Sequence, residues 1–233
     1  MILPLRGLDL RYEPRPWPFA TVRAPEIAAH WARLTEANPR LWNGEVLVQH
    51  RWRVEDGIYR AGYMPVDYAS FLAWRDFGWP APPVRNGFGM AALRASDGAF
   101  VLGQMAEHTA NAGKIYFAGG TPDMSDVTAD GQVDLAGSLV RELREETGLC
   151  ASEVVFGDDW TAVIDGTRVA FLRAARLGLP AEAARAMIRA RLPGLAEQEL
   201  ADIVIVRGPD EIDPARMPGF AAEYMAAVFA AER

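Results

Sequence analysis

Three glutamates, Glu142, Glu145 and Glu146, lie in the run Arg141-Glu142-Leu143-Arg144-Glu145-Glu146-Thr147-Gly148-Leu149. On an α-helix they occupy one arc of about 100°. Ala136, Leu139, Val140 and Leu143 fill the adjoining arc, the one expected to face a core. Like charges at these spacings cost roughly 0.2–0.5 kcal/mol per pair. A divalent cation reverses that sign, because carboxylate oxygens are hard ligands suited to Mg²⁺ or Mn²⁺. Arg141 stands one turn before Glu145 and can orient it by an ion pair. A bare E-x-x-E-E reads first as a solvated acidic face balanced by Arg141 and Arg144, so the surrounding pattern has to decide.

The elements that must position this run are legible. Residues 135–147 read as a strong helix with Gly148 just past its end. Residues 114–117 read as a short strand running into Gly119-Gly120. Residues 88–94 and 99–105 alternate as a hairpin around Ser96-Asp97-Gly98. Further strands are expected at 160–164, 168–174 and 202–206, with helices at 181–191 and from 214 or 218 onward. Upstream, 14–18 reads as an extended lead-in and 25–36 as a helix on the spacing Ile27, Trp31, Leu34. Two strands, 45–54 and 58–64, flank Asp56-Gly57, and a helix over 66–77 is closed by Gly78. Interleaved strands and helices point to an α/β fold.

Composition narrows the function classes. The 233 residues are half apolar and 24 % charged, which excludes a disordered or fibrous chain. A formal charge of −7 argues against gripping nucleic acid through broad basic surfaces. The single cysteine, Cys150, excludes an internal disulfide and a Cys-rich zinc cluster, and is expected to be a small buried hydrophobe. No apolar run is long enough for a signal peptide or a membrane span, so a soluble, cytoplasmic protein is expected. Trp17, Trp31, Trp42, Trp52, Trp74 and Trp79 crowd the first third, suggesting a separate N-terminal unit packed around aromatics. The Pro-rich stretch 80–83 is the best linker, which places an α+β domain over 1–82 and a second domain over 83–233.

The glutamate run matches R-E-U-x-E-E-x-G-U, with U aliphatic, the second half of the Nudix box, at every fixed position. The chain is therefore identified as resembling a Nudix hydrolase. The resemblance implies an α/β/α sandwich with a mixed sheet. It also implies a Mg²⁺- or Mn²⁺-dependent pyrophosphohydrolase, with Arg141, Glu142, Glu145 and Glu146 catalytic and the three glutamates holding the metal. Gly119 and Gly120 correspond to substrate-side glycines of the box. The first half departs from the pattern. Where the family has glycine and glutamate, fourteen and eight residues before the arginine, this chain has Val127 and Val133. Gly120 lies 21 residues before Arg141, which implies a seven-residue insertion within 121–133. Asp134 either replaces the missing glutamate or caps the helix.

Shorter matches extend the resemblance. Trp31, Asn38-Pro39, Asp67-Tyr68 with Phe71, and Asp134-Leu135-Ala136-Gly137 look like a Nudix branch with an N-terminal α+β domain, which includes an animal UDP-glucose pyrophosphatase. The expected substrate is then a small nucleoside diphosphate derivative, foremost a nucleotide sugar, with no nucleic acid or membrane partner. Coenzyme A is disfavoured, because residues 105–113 lack the arginines that precede the glycines in that subfamily. Oxidised nucleotides and a non-catalytic nucleotide-binding regulator are the alternatives. Lys114, the sole lysine, is a candidate phosphate contact through its compact charge. His108 and Asn111 could touch substrate from the preceding loop, and Trp42 or Tyr68 could stack on a base. Glu197 and Glu199 are expected at an exposed helix end, in a region where the family often supplies an extra carboxylate. The proton of the attacking water falls to Glu145, to Glu146 or to a residue of another loop.

Overall fold

The computed structural model describes residues 1–80 and 83–232. Its elements run β1 (Ile2–Leu5), β2 (Gly7–Tyr12), α1 (Pro18–Val22), α2 (Ala24–Ala37), β3 (Glu45–Glu55), β4 (Ile58–Asp67) and α3 (Tyr68–Asp76). There follow β5 (Asn86–Arg94), β6 (Phe100–Met105), β7 (Ile115–Tyr116), β8 (Gly119–Gly120), α4 (Leu135–Thr147) and β9 (Val154–Asp165). The chain ends with β10 (Arg168–Leu177), α5 (Ala181–Arg191), β11 (Leu200–Val206) and α6 (Gly219–Ala231). These elements fall into two compact units. One combines Met1–Gly7, Phe88–Gly120 and the chain from Leu135 onward; the other combines Leu8–Gly87 with Thr121–Asp134.

The first unit has the expected α/β architecture with a mixed sheet. Its strands run β1-β9-β10-β5-β6-β11, with β7 added to β6 and β8 added to β5. Strand β5 is buried along almost its whole length, as befits a central strand covered on both faces. The β5–β6 hairpin closes where Ala95 N–H donates to Ala99 O at 2.9 Å, with Gly98 at φ 87°. Helices α4, α5 and α6 bury Leu135, Leu139 and Leu143, then Ala184 and Ile188, then Phe220, Tyr224 and Phe229. Phe100 meets Phe117 at 5.6 Å and Phe229 at 5.2 Å, edge to face, and this seats α6 on the sheet.

The second unit is built on the sheet β2-β4-β3. Asp56 and Gly57 both have positive φ, which suits a two-residue turn between twisted strands. Asp67 caps α3 by accepting from Ser70 N–H at 2.9 Å. Trp17, Phe19, Phe71 and Trp74 form a buried cluster, with Trp31, Tyr68, Phe77 and Trp79 packed against it. Of the six tryptophans expected to pack together, Trp17, Trp31, Trp74 and Trp79 lie in this cluster, whereas Trp42 and Trp52 are exposed.

Three local readings change. Strands β1 and β2 carry no clear strand pattern in the sequence, because Arg6, Asp9 and Arg11 dilute their apolar residues and their partners are remote in sequence. Ile2 pairs with Val163, for example. Pro18 does not extend the lead-in but opens α1, where its fixed φ suits the first helical turn. The inserted segment belongs to the second unit: Leu47 N–H donates to Pro122 O at 2.7 Å, and Arg11 bridges Gln132. A single cut at 82/83 does not contain these exchanges between units. The expected linker over 80–83 includes residues 81 and 82, which lie outside the described residues.

Trp74 is fully buried and its indole N–H donates to Pro80 O at 2.6 Å. Trp74→Ala should cost this unit about 3–5 kcal/mol, read as a lowered urea midpoint followed by near-ultraviolet circular dichroism.

Candidate functional site

The carboxylate helix α4 is held against two glycines. Gly119 has φ 155°, and a Cβ there would lie 2.2 Å from Gly89 O, so only glycine lets β8 lie this close to β5. Its N–H then donates to Glu146 Oε1 at 3.0 Å. A Cβ on Gly120 would lie 2.9 Å from Glu142 Oε2, so the carboxylate packs into the space that a side chain there would take. The structure thus brings Gly119, Gly120, Glu142 and Glu146 together. Arg141 supplies the expected ion pair and a second one. Its Nη1 lies 3.0 Å from Glu145 Oε2 and 2.8 Å from Glu142 Oε1.

Glu146 is not on a solvated edge as the helical arc suggested: it is only 5 % exposed. On the wheel it lies about 20° from Leu139, so it forms the inner rim of the acidic arc and is buried with Leu139 and Leu143. Burial pushes its carboxyl well above the usual range, and the charges of Glu142, Glu199 and Glu145 push the same way. The Gly119 N–H opposes them.

Glu199 is a further candidate, and its place differs from the exposed helix end expected of it. It does not end a helix. Helix α5 stops at Arg191, a short 3₁₀ turn follows over Leu192–Gly194, and Glu199 immediately precedes β11. Leu200 pairs with Met105, and Ala106 N–H donates to Glu199 O at 2.8 Å, so β11 fixes where this residue stands. Its half-buried carboxyl is raised by burial and by the charges of Glu197 and Glu145, with His108 acting in the opposite direction. The carboxylates of Glu142, Glu145, Glu146, Glu197 and Glu199 are therefore linked by charge here.

Other expected residues lie differently. Lys114 is exposed and donates to Ala215 O at 3.2 Å. Asn111 donates to the Tyr116 hydroxyl at 3.0 Å. Cys150 is exposed rather than buried, because it opens the turn Ala151–Glu153, where its N–H is held by Glu153 Oε2 at 2.9 Å. Tyr68 packs on Phe71 and Trp31 within the aromatic cluster, whereas Trp42 is exposed with its ring against Gly44. Val127 and Val133, which stand at the departed box positions, bridge one another inside the inserted segment. Asp134 N–H donates to Asp126 O at 2.8 Å in the same segment.

Among the described residues, no three His, Cys, Asp or Glu side chains close around one point. Arg141 holds Glu142 and Glu145, while Glu146 is turned onto Gly119. The donor set still fits a hard divalent cation: it is all carboxylate oxygen and mutually repelling, with Glu142 seated over the bare α-carbon of Gly120.

No family model matches the chain, and no curated protein matches it. Among solved structures it is similar to RenU, a Nudix hydrolase from M. smegmatis, at 22 % identity and a TM-score of 0.41, over 64 % of this chain and 88 % of that one. It is similar to the MutT protein from Methanosarcina mazei Go1 at 19 % and 0.40, over 64 % and 94 %. The C-terminal domain of mouse MUTYH, solved in complex with human PCNA, aligns at 14 % and 0.38, over 63 % and 87 %. At these values the likeness assigns neither an activity nor a residue role. No helix among the described residues is long and apolar enough to cross a membrane.

A carboxyl whose folded pKa is raised favours folding below its unfolded pKa and opposes it as pH rises through and above the folded value. Glu146→Gln keeps the acceptor for Gly119 N–H and removes the charge. Metal-free Glu146→Gln should therefore melt higher than wild type at pH 7, with the gap closing toward pH 4. Equal melting temperatures across that range would contradict the buried, repelled carboxylate.

Proposed function

We propose that this protein is a Nudix-type hydrolase that cleaves the phosphoanhydride of a nucleoside diphosphate linked to another group. The observation that carries the reading is the seating of Glu142 and Glu146 on Gly120 and Gly119, with the charges of Glu145 and Glu199 acting on Glu146, a repulsion that Arg141 offsets in part and a divalent cation would relieve further. Glu142, Glu145 and Glu146 would hold Mg²⁺ or Mn²⁺, which when bound neutralises phosphate charge and acidifies a water. Arg141 keeps Glu142 and Glu145 on one side of the helix, and the Gly119 N–H fixes the rotamer of Glu146. Glu199 is the loop carboxylate best suited to take the proton of the attacking water, since burial and its acidic neighbours raise its proton affinity. Products would be a nucleoside monophosphate and a phosphorylated remainder.

A nucleotide sugar is the preferred substrate. The absence of arginine in 105–113 argues against coenzyme A, and the additional aromatic-rich unit argues against compact enzymes acting on oxidised triphosphates. A second reading, a non-catalytic nucleotide-binding regulator, draws on the Val127–Val133 pair standing where the first half of the box should be.

A panel of nucleotide sugars, dinucleotides, coenzyme A and oxidised triphosphates, assayed with Mg²⁺ for monophosphate release, separates these readings. Turnover should be fastest on a nucleotide sugar and should vanish with chelator. Glu145→Gln and Glu146→Gln should each lower it at least about a hundredfold. Folded variants with near-wild-type turnover at saturating Mg²⁺ would remove the metal-site assignment. Faster turnover of oxidised triphosphates would overturn the substrate ranking alone.

A further inference from the structure

The Leu8–Gly87 unit carries a second polar constellation that the proposed hydrolysis does not use. An open cleft of about 460 Å³ is lined by Glu13, Pro14, Arg15, Pro16 and His50. The register of β3 on β4 slips between Gln49, opposite Tyr63, and Arg51, opposite Gly62, leaving His50 without a cross-strand partner. Such bulges re-aim side chains. Here Gly62 completes the device: a Cβ on it would lie 2.2 Å from Glu13 Oε2 and 2.7 Å from His50 Nε2.

The hydrogen bonds fix the protonation pattern. Arg15 Nη1 lies 3.1 Å from His50 Nδ1, and a guanidinium can only donate, so Nδ1 accepts. The ring proton is therefore on Nε2 and is donated to Glu13 Oε2 at 3.0 Å. Glu13 is also gripped by Arg51, Nε to Oε2 at 2.8 Å and Nη2 to Oε1, which balances its charge. The charged groups facing His50 are Glu13 and Arg15 from the lead-in and Arg51 from β3; β4 presents Gly62. With Glu13 balanced by Arg51, Arg15 leaves the cleft cationic. An oxyanion that draws Arg15 onto itself uncovers Nδ1, and a proton there gives the anion a second donor.

We propose that this cleft is a second ligand site, taking a doubly charged oxyanion such as a phosphate monoester between Arg15 and a His50 that gains a proton as the anion binds. Proton uptake is the signature, because neutral His50 in the empty cleft offers the anion no donor at Nδ1. Sulfate is the cleanest probe, since its own charge is constant between pH 5.5 and 7.5.

The test is a sulfate titration of the full chain, at constant ionic strength in chloride, following the His50 ring resonance assigned with His50→Gln. The expected result is a saturable shift with affinity at least about fivefold tighter at pH 5.5 than at pH 7.5. It should be absent in Arg15→Gln, whose exposed side chain can be replaced without disturbing the core. Arg15→Gln without anion should also let His50 titrate at higher pH, since the neighbouring positive charge is gone. Parallel titrations with inorganic phosphate and with glycerol phosphate distinguish the free ion from an ester as the preferred occupant. No saturation below about 50 mM, equal affinity at both pH values, or undiminished binding in Arg15→Gln would each overturn the site.

Discussion

The hydrogen bond from the Gly119 amide to Glu146 is the point on which the α4 face turns. It forms because β8 presses onto β5 where no Cβ stands between them, leaving the Gly119 N–H directed at the helix. It satisfies one oxygen of a carboxylate whose proton affinity burial and three neighbouring charges still hold well above the usual range. Leu139 and Leu143 fix the rotation of α4 about its axis, and that rotation sends Glu142 toward Gly120 and Glu145 to solvent. One backbone contact and one apolar stripe thus set the positions of the glutamates.

Charge repulsion and stability oppose each other here. Repelling carboxylates gathered at one edge destabilise the folded state in the absence of a cation, and Arg141 offsets part of that cost by pairing with two of them. The unit bears this because its sheet and the aromatic packing of Phe100, Phe117 and Phe229 bury a large apolar surface elsewhere. The Leu8–Gly87 unit repeats the logic on a smaller scale. Its core of Trp17, Phe71 and Trp74 supports a bulged strand that aims His50 and Arg51 at Glu13.

Local signals in the chain were dependable where physics is local. Helices α4 and α5 end where Gly148 and the 3₁₀ turn at Leu192 end them, and both match the periodicity of the sequence. Hairpins announced by Asp56-Gly57 and Ser96-Asp97-Gly98 form as their turn chemistry requires. Strands β1 and β2 have no comparable local signal, nor has the attachment of 121–134 to the second unit, since their stability comes from partners far along the chain.

Residue type and a 100° step along a helix are sufficient to place the acidic arc and its arginine, whereas the two glycines are singled out by the resemblance. The sequence by itself misjudged Glu146, since a wheel gives direction but not the depth to which neighbours cover a side chain. It also misjudged Cys150, whose exposure follows from the turn it opens. Only tertiary structure brought Glu199 to the glutamates: no local pattern encodes it, and its place follows from the pairing of β11 with β6. The Glu13–His50–Arg15 cluster likewise exists only through a strand bulge and a glycine on the facing strand. Such arrangements depend on register between remote segments, a quantity that no window of sequence contains.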